Sequence, residues 1–306
     1  MNVFNEFMDV KEEVALALKE NRPVVALEST IISHGFPYPE NRECALESEA
    51  NIRKMGAIPA TIAMIKGRIK IGLSEDEIEY LASNRSIPKA SRRDVPVLLA
   101  LGQDGATTVA TTMMFAQMAG IKVFATGGIG GVHRNAQETF DISADLEELA
   151  STSVAVVCAG AKSILDIALT KEYLETNGVP VLGYKTEDLG GFYTRKSGFK
   201  VDRQIDSIED FAKIIDTKAK LGLKGGMVIS NPIPSEYEMD YEYISSSIEQ
   251  ALKEADEKGI RGKDTTPFLL ERIHTITEGK SVNANKQLVF NNARVAAQIA
   301  VALSKL

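Results

Sequence analysis

The chain has few of the features that mark several large protein classes. Its two cysteines, Cys44 and Cys158, have no paired spacing that would indicate a disulfide framework or a zinc site. Acidic residues outnumber basic ones by 42 to 35, and the net charge of -7 argues against a surface for a nucleic-acid polymer. No apolar run approaches the roughly 20 residues of a membrane span. A small phosphorylated substrate, which needs only a local basic cluster, is still compatible with this composition.

The N-terminal segment and the cysteines both point to the cytoplasm. Asp9, Lys11 and Glu12 interrupt the stretch where a signal peptide would need an apolar core. The two cysteines fall in an expected helix and an expected buried strand, which is typical of free thiols in a reducing compartment. We therefore predict a cytoplasmic protein with no membrane partner.

Short apolar runs alternate with amphipathic segments along most of the chain. The apolar runs at residues 24–27, 121–125, 154–158 and 179–184 indicate buried parallel strands. No linker of Pro, Ser or Gly, no charge block and no internal repeat divides the sequence. These patterns predict an α/β fold: a single domain of residues 1–306, built as an α/β/α sandwich with a largely parallel central sheet.

The amphipathic segments carry recognisable start signals. Apolar spacing predicts a first helix within residues 3–20 and another from Ala106 to Ala119. Capping residues predict further helix starts. These lie at Asn41, at Ser74 with Glu77, at Ser163 with Asp166, at Ser207 with Asp210, at Asp264 and at Ser281.

The glycine-rich segment after residue 126 does not match a nucleotide-binding loop. Counting from Gly128, the sixth position of the dinucleotide fingerprint is His133 instead of glycine, and no G-K-[ST] follows for a Walker loop. The glycines allow backbone amides to approach a ligand, or they form a tight turn without one. For the glycines alone, the tight turn is the preferred interpretation.

Two aspartates follow the glycines at a spacing of four residues. If Asp141 and Asp145 lie on one helix, they share a face. Such a carboxylate pair can hold Mg²⁺ or Mn²⁺ while water and substrate complete the shell. An aspartate in the first turn of a helix is favoured electrostatically whatever the function, which applies to Asp145. Asp141 therefore has the better claim to a metal ion.

Two chemically capable residues come directly after apolar strands. Lys162 follows the run at 154–158, where desolvation and the start of a helix would favour a neutral, nucleophilic amine. A phosphate-binding or exposed lysine is the alternative. Glu28 follows Val24–Leu27, where burial would raise its pKa and suit it to general acid catalysis. A solvated residue at a loop start is the alternative for Glu28.

The remaining candidates allow structural as well as functional interpretations. His133 is one of three histidines, and a lone histidine more often has a structural role. Lys89, Arg92 and Arg93 form a basic cluster large enough for a phosphate monoester, although a solvated helix start would have the same composition. The polar loop at 185–203 is either a mobile lid or an ordinary surface loop.

Six ordered motifs resemble those of the pseudouridine-5′-phosphate glycosidase family, also named after the indigoidine synthase A-like proteins. The motifs are ALESTIISHGFPYPEN from Ala26, KASRRD from Lys89, DGATTVATTM from Asp104, TGGIGGVHR from Thr126, DISADLEEL from Asp141 and CAGAKSILD from Cys158. Because the six motifs keep their order over about half of the chain, the set indicates this family far more specifically than any single motif does.

The resemblance implies a reaction and an assembly. Pseudouridine 5′-phosphate would be cleaved reversibly with water to uracil and ribose 5-phosphate, with one Mn²⁺ or another divalent cation per subunit, in a homotrimer. Lys162 would be the nucleophile, Glu28 the proton donor and Asp141 the metal ligand. The implied substrate contacts are Lys89, Val109, Ser143, Ala144 and Asp145, with His133 and Asn285 near the uracil. For the last contact, Asn283 stays open as an alternative.

The chemistry of the bond agrees with a lysine nucleophile. In an ordinary glycosidase the leaving atom can be protonated, whereas the carbon of a C–C glycosidic bond has no lone pair for this. We therefore expect a lysine imine as intermediate. Two other functions stay open. A lysine-dependent aldolase-type lyase would also use Lys162 on a sugar phosphate, and a non-catalytic accessory role in pigment biosynthesis is suggested by the second family name.

Overall fold

The computed structural model of the chain describes residues 6–262 and 265–306. Its strands are β1 (Met8–Val10), β2 (Val24–Leu27), β3 (Ile58–Ile65), β4 (Arg68–Ile71), β5 (Lys89–Ala90), β6 (Gly105–Thr107), β7 (Val123–Ala125), β8 (Val132–His133), β9 (Ala155–Cys158), β10 (Leu165–Asp166), β11 (Val181–Tyr184), β12 (Arg203–Ile205) and β13 (Met227–Ser230). Its α-helices are α1 (Glu12–Lys19), α2 (Glu40–Lys54), α3 (Glu75–Ser83), α4 (Val95–Ala100), α5 (Val109–Ala119), α6 (Ala136–Thr139), α7 (Ala144–Ser151), α8 (Ile167–Thr176), α9 (Ile208–Lys220), α10 (Tyr241–Glu257), α11 (Thr265–Ile276) and α12 (Lys280–Leu303).

The central sheet is largely parallel. Its strands run in the order β3-β2-β7-β9-β13-β11-β12, and each neighbouring pair in this series is parallel. At one edge β4 pairs antiparallel with β3, through a turn at Lys66 and Gly67 that has positive φ at both residues. The α/β fold with a largely parallel sheet is therefore confirmed.

Side chains of the central strands alternate between two cores. Val25, Val123 and Val157 pack on one face with the apolar residues of α2, α9 and α12. Phe124 and Val156 belong to the core on the other face, with apolar residues of α5, α7 and α8. This alternation is what a strand buried on both faces requires, and it produces the three layers of the predicted sandwich.

The sequence predicted some helix starts correctly and others wrongly. Ser74, Asp166 and Ser207 each accept a backbone N–H as helix caps. Asn41 and Ser281 are wrong as caps, because both lie inside their helices. Asn41 instead donates to the carbonyls of Ile32 and Ala82 at 2.7 and 2.9 Å. Ser163 precedes β10 instead of a helix, and the predicted cap Asp264 lies outside the described residues.

Two predicted helices are shorter than their apolar spacing indicates. Within residues 3–20, the helix α1 begins only at Glu12, because Met8–Val10 is a strand that pairs with β4. The helix predicted from Ala106 begins at Val109, because Gly105–Thr107 pairs with β3 and β5. In both cases strand pairing with distant residues overrides local periodicity. None of the described helices is long and apolar enough to cross a membrane.

Candidate active site

Three polar residues lie side by side at the carboxyl edge of the sheet. Glu28 follows β2 and Thr126 follows β7, while Lys162 lies four residues beyond the end of β9. Because β2, β7 and β9 are consecutive neighbours in the sheet, their ends bring these side chains together. This is the edge where open α/β sheets place their ligands.

Two connected cavities open from this edge. The larger, which we call the main cavity, has a volume of about 680 Å³. A narrower cleft of about 40 Å³, the inner cleft, adjoins it and shares Glu28, Lys89 and Lys162 with it. Nine of the ten residues singled out from the sequence line the main cavity, namely Glu28, Lys89, Val109, His133, Asp141, Ser143, Ala144, Asp145 and Lys162.

Glu28 is a buried carboxyl group with a raised pKa. Its side chain is 7% exposed, and the loss of solvation is the main cause of the raised pKa. The nearby charges of Lys162 and Lys89 and a hydrogen bond from the Thr126 hydroxyl oppose this shift. A carboxyl group in such surroundings is suited to deliver a proton. The solvated alternative for Glu28 is therefore wrong.

Lys162 is half-buried and reaches the cavity from a turn. Its backbone N–H donates to the carbonyl of Ile129 at 3.1 Å, which ties this turn to the glycine-rich segment. The expected helix start is wrong here, because α8 begins only at Ile167. Lys162 is therefore not placed at the positive end of a helix dipole. Only the groups around its side chain can make the amine more nucleophilic.

Asp145 is buried for a structural reason. Its carboxylate accepts the backbone N–H of Ala110 at 2.9 Å and that of Gly130 at 2.8 Å. It thereby joins the first turn of α5 to the glycine-rich segment. Asp141 lies before α7 and Asp145 inside it, so the two aspartates do not share a helix face as considered from the sequence. Ser143 caps this helix, since its hydroxyl accepts the N–H of Asp145 at 3.2 Å.

The glycines are required by close packing. A Cβ atom at Gly130 would lie 2.2 Å from Oγ of Ser143 and 2.6 Å from Oδ2 of Asp145. At Gly131 it would lie 2.4 Å from Oγ1 of Thr170. Gly160 has φ +94, and its Cβ would meet the carbonyl oxygen of Gly190 at 2.2 Å. The predicted tight turn is wrong, because none of the glycines at 127, 128, 130 and 131 has positive φ and Ile129 forms a β-bridge with Ala161. Close packing, and not a turn, is the reason for these glycines.

The surroundings of Asp141 fit one protein ligand to a hydrated cation. Asp141 is partly exposed in the cavity wall, and its Oδ2 lies 4.0 Å from Nδ1 of His133. The part of the chain that the structure describes contains no group of three or more His, Cys, Asp or Glu residues arranged for a metal ion. Mg²⁺ and Mn²⁺ accept such a site, because they are commonly held by one or two carboxylates with water and phosphate oxygens.

The basic cluster lies along the outer part of the main cavity. Lys89, Arg92 and Arg93 all line it. Burial is the main cause that lowers the pKa of Lys89, and the charge of Lys162 adds to it. Arg92 makes a two-point ion pair with Glu148, at 2.8 Å for both contacts, whereas the side chain of Arg93 is 82% exposed. The starts of α5 and α7 line the same cavity, so two helix N-termini add their positive ends to the cluster.

The tenth predicted residue, Asn285, lines the inner cleft and not the main cavity. Asn283 lines a different cavity, near Tyr243 and Lys280. The position of Asn285 beside Glu28 and Lys162 thus favours it over Asn283. His133 lies in the main cavity, so the two residues that the resemblance places near the uracil reach the centre from different sides.

Thr126 and two asparagines are site residues without a predicted role. Nδ2 of Asn292 donates to the carbonyl of Thr126 at 2.8 Å, and its Oδ1 accepts from Asn231 at 2.9 Å. Both asparagines are buried. This pair fixes the end of β7, and with it the hydroxyl group that donates to Glu28. Thr126 could have been found by the signal that identified Glu28, a polar residue directly after an apolar strand.

The loop at 185–203 is anchored in the core at its centre. Leu189, Phe192 and Tyr193 are buried, and the N–H of Phe192 donates to the carbonyl of Ala159 at 3.1 Å. Phe192 also lines the inner cleft. The buried centre contradicts the interpretation as an ordinary surface loop, and these core contacts also argue against a mobile lid.

Comparison with known proteins places the chain in a family. Residues 13–302 match the family described as Indigoidine synthase A like protein. The chain belongs to the indigoidine synthase A-like family. This family member is 66% identical over 306 residues to the pseudouridine-5′-phosphate glycosidase of Brachyspira hyodysenteriae, with 100% of this chain and 99% of the relative covered. It is 63% identical over 305 residues to the protein of the same name from Clostridium botulinum, with 99% of both chains covered.

Solved structures of the family share its fold. The prealnumycin C-glycosynthase AlnA, solved in complex with ribulose 5-phosphate, superposes with a TM-score of 0.90 at 40% identity, with 98% of both chains covered. An indigoidine synthase A-like protein from Thermotoga maritima superposes with a TM-score of 0.89 at 34% identity, with 97% of both chains covered.

Proposed function

We propose that this family member is a pseudouridine-5′-phosphate glycosidase. It would cleave the C–C glycosidic bond of pseudouridine 5′-phosphate with water, reversibly, to uracil and ribose 5-phosphate. Two relatives with at least 63% identity over nearly their whole length carry this name. The observation that supports it most strongly is that Glu28 and Lys162 both line the main cavity, which also contains the basic cluster, and the narrow inner cleft beside it.

The phosphate group would bind in the main cavity. Lys89 and Arg93 supply positive charge, and the first residues of α5 and α7, Val109 and Ala144, supply backbone N–H groups. The next N–H groups in these helices, of Ala110 and Asp145, donate to side chains of the protein. Val109 and the segment 143–145 form these helix starts, which agrees with the substrate contacts expected for them. This arrangement would place C1 of the sugar towards Glu28 and Lys162.

Lys162 and Glu28 would then open the sugar. The amine of Lys162 attacks C1 of the ribose, the bond from C1 to the ring oxygen breaks, and Glu28 gives its proton to that oxygen. The attacking nitrogen, now an ammonium, returns a proton to the Glu28 carboxylate and so regains its lone pair. Glu28 then protonates C5 of uracil, the bond from C1 to C5 breaks, and the nitrogen lone pair forms a protonated imine, a Schiff base. Water adds to C1 of the imine, the bond from C1 to nitrogen breaks, and the released proton returns to Glu28, which frees ribose 5-phosphate and restores the amine.

We further propose the cofactor, assembly and location that the resemblance implies. Asp141 would hold one Mn²⁺ or another divalent cation, which when bound would neutralise phosphate charge and order water. The protein would be a cytoplasmic homotrimer, and residues 1–306 would form a single domain. The names of the relatives favour glycosidase activity over the aldolase-type lyase and over the accessory role in pigment biosynthesis.

The proposal is tested by incubating the protein with Mn²⁺ and pseudouridine 5′-phosphate and measuring uracil and ribose 5-phosphate in equal amounts. The reverse reaction, from ribose 5-phosphate and uracil, must give the C-linked nucleotide. Lys162→Ala should abolish both reactions. Lys122→Ala, at an exposed lysine beside the amino end of β7, is the matched control and should retain both. A wild-type protein that forms an adduct with ribose 5-phosphate but never a nucleotide would favour the lyase instead.

A further inference from the structure

The inner cleft continues into a third cavity on the far side of Glu28 and Lys162. This outer cavity has a volume of about 350 Å³, and it shares His34, Pro267, Leu270 and Asn285 with the inner cleft. The three cavities therefore adjoin one another through shared wall residues, and Glu28 and Lys162 line the main cavity and the inner cleft. At the far end Arg85 and Glu271, both exposed, line the outer cavity, which opens it to the protein surface.

The main cavity and the outer cavity differ in chemistry. The main cavity is lined by Lys89, Arg92 and Arg93 and by two helix starts, which suit a phosphate dianion. The lining of the outer cavity includes neutral polar groups of Asn285 and Ser281 beside the apolar Phe36 and Leu270. A neutral, flat ring with hydrogen-bonding edges is suited to this lining, because the ring can bury its faces and still pair its polar atoms.

We propose that the free nucleobase enters and leaves through the inner cleft and the outer cavity, while the sugar phosphate stays in the main cavity. This inference rests on the proposed function. A sugar phosphate held by the basic cluster and bonded to Lys162 occupies the path from the reacting groups to the mouth of the main cavity. A base released beside Asn285 lies next to the outer cavity, because Asn285 lines both that cavity and the inner cleft. Separate paths allow uracil to exchange without release of the sugar phosphate.

The narrow part of this path lies between α11 and the segment around His34. Pro267 and Leu270 of α11 line both the inner cleft and the outer cavity. A tryptophan at position 270 should obstruct the passage close to the reacting groups. Val282, which lines the outer cavity but not the inner cleft, allows a second obstruction further from them. Thr275, exposed on the same helix as Leu270, allows a matched tryptophan control outside the path.

Two rates of the assembled protein test this route. The first is the rate at which ribose 5-phosphate alone forms an adduct that borohydride traps. The second is the exchange of labelled uracil into pseudouridine 5′-phosphate at a fixed concentration of sugar phosphate. We expect Leu270→Trp and Val282→Trp to slow uracil exchange about tenfold or more while adduct formation stays within about twofold of wild type. Thr275→Trp should change neither rate.

The route is overturned if both tryptophan variants exchange uracil at the wild-type rate, or if they slow adduct formation as much as exchange. If Leu270→Trp fails to fold, Val282→Trp decides between these outcomes. A wild-type protein that exchanges no uracil at all would overturn the proposed function and the route together, whereas failure of the tryptophan variants alone leaves the function intact.

Discussion

The two walls of the main cavity each contain a buried acidic side chain, and the hydrogen-bond donors around these two side chains differ. In the wall formed by residues 130 and 143–145 with the start of α5, Asp145 accepts two backbone N–H groups within 2.9 Å. In the wall formed by the ends of β2 and β7, Glu28 accepts a hydrogen bond from one hydroxyl group, that of Thr126, and faces two lysines. Backbone donors from two elements hold the Asp145 side chain in place, whereas burial raises the pKa of Glu28 and so favours its neutral form.

This comparison separates structure from chemistry within one site. A carboxylate whose donors are backbone groups of two elements holds those elements together. A carboxyl group whose pKa is raised by burial, next to a lysine, is suited to transfer a proton. Sequence position could not distinguish the two residues, because both are acidic side chains at the same edge of the sheet. The following predictions test the difference.

The largest effect is expected for Glu28→Gln. Loss of the proton donor should lower kcat by about 10²- to 10⁴-fold, with binding of the substrate largely kept. Stability should not fall. Because burial raises the pKa of Glu28, its contribution to stability is complete below the ordinary carboxyl pKa and is lost as the pH rises through the raised pKa. Near neutral pH a glutamine should leave the thermal midpoint equal or higher, and a large loss of binding or of stability would indicate a structural role.

The opposite pattern is expected for Asp145→Asn. An asparagine cannot keep both charge-assisted hydrogen bonds to Ala110 and Gly130, which are worth about 1.5–3 kcal/mol each. The free energy of unfolding should fall by about 2–4 kcal/mol in a urea titration. Asp141→Asn is the matched control. Because Asp141 is partly exposed, this variant should keep its free energy of unfolding, while its activity should no longer depend on the divalent cation. If Asp145→Asn leaves stability unchanged, the structural assignment is wrong.

A smaller effect is expected for Thr126→Val. The Thr126 hydroxyl stabilises ionised Glu28 and so lowers its pKa, although burial dominates. Its removal should raise that pKa further. Since the proposed cleavage needs protonated Glu28, the alkaline limb of the kcat/KM profile should move to higher pH. Thr126→Ser keeps the hydroxyl and should keep the wild-type limb. Equal shifts in both variants would show that loss of the hydrogen bond is not the cause.

The smallest effect is expected at the rim of the cavity. Arg93 is largely exposed, so Arg93→Ala should raise KM for the phosphate ester about two- to fivefold and leave kcat and the thermal midpoint unchanged. Arg92→Ala should in addition lower stability, because it leaves the buried Glu148 without its guanidinium partner. Identical behaviour of both variants would contradict the different roles given to these arginines.

Much of the fold followed from local patterns, and the failures have a common cause. Buried strands at 24–27 and 155–158 are visible as apolar runs, and Ser74 and Ser207 are visible as caps, because these signals need only neighbouring residues. The strand Met8–Val10, the strand before α5 and the buried role of Asn41 depend on distant pairing partners. No periodicity within a short segment reports such partners.

The same limit applies to the candidate site. Strand ends identified Glu28 and Lys162, and the motifs identified the other lining residues. The sequence could not show that the carboxylate of Asp145 accepts hydrogen bonds from two backbone amides. It also could not show that α8 begins beyond Lys162. Both features depend on how separate elements meet. Nor could it show the Asn231–Asn292 pair, whose members are 61 residues apart.

The most direct test of the account is to trap the intermediate and locate it. The protein is mixed with Mn²⁺ and ribose 5-phosphate, reduced with borohydride, digested, and analysed by mass spectrometry. We predict a reduced pentose phosphate adduct on the peptide that contains Lys162, and none in Lys162→Ala. An adduct that persists in Lys162→Ala, or one that forms on Lys89 in the wild-type protein, would contradict the assignment of Lys162 as the nucleophile.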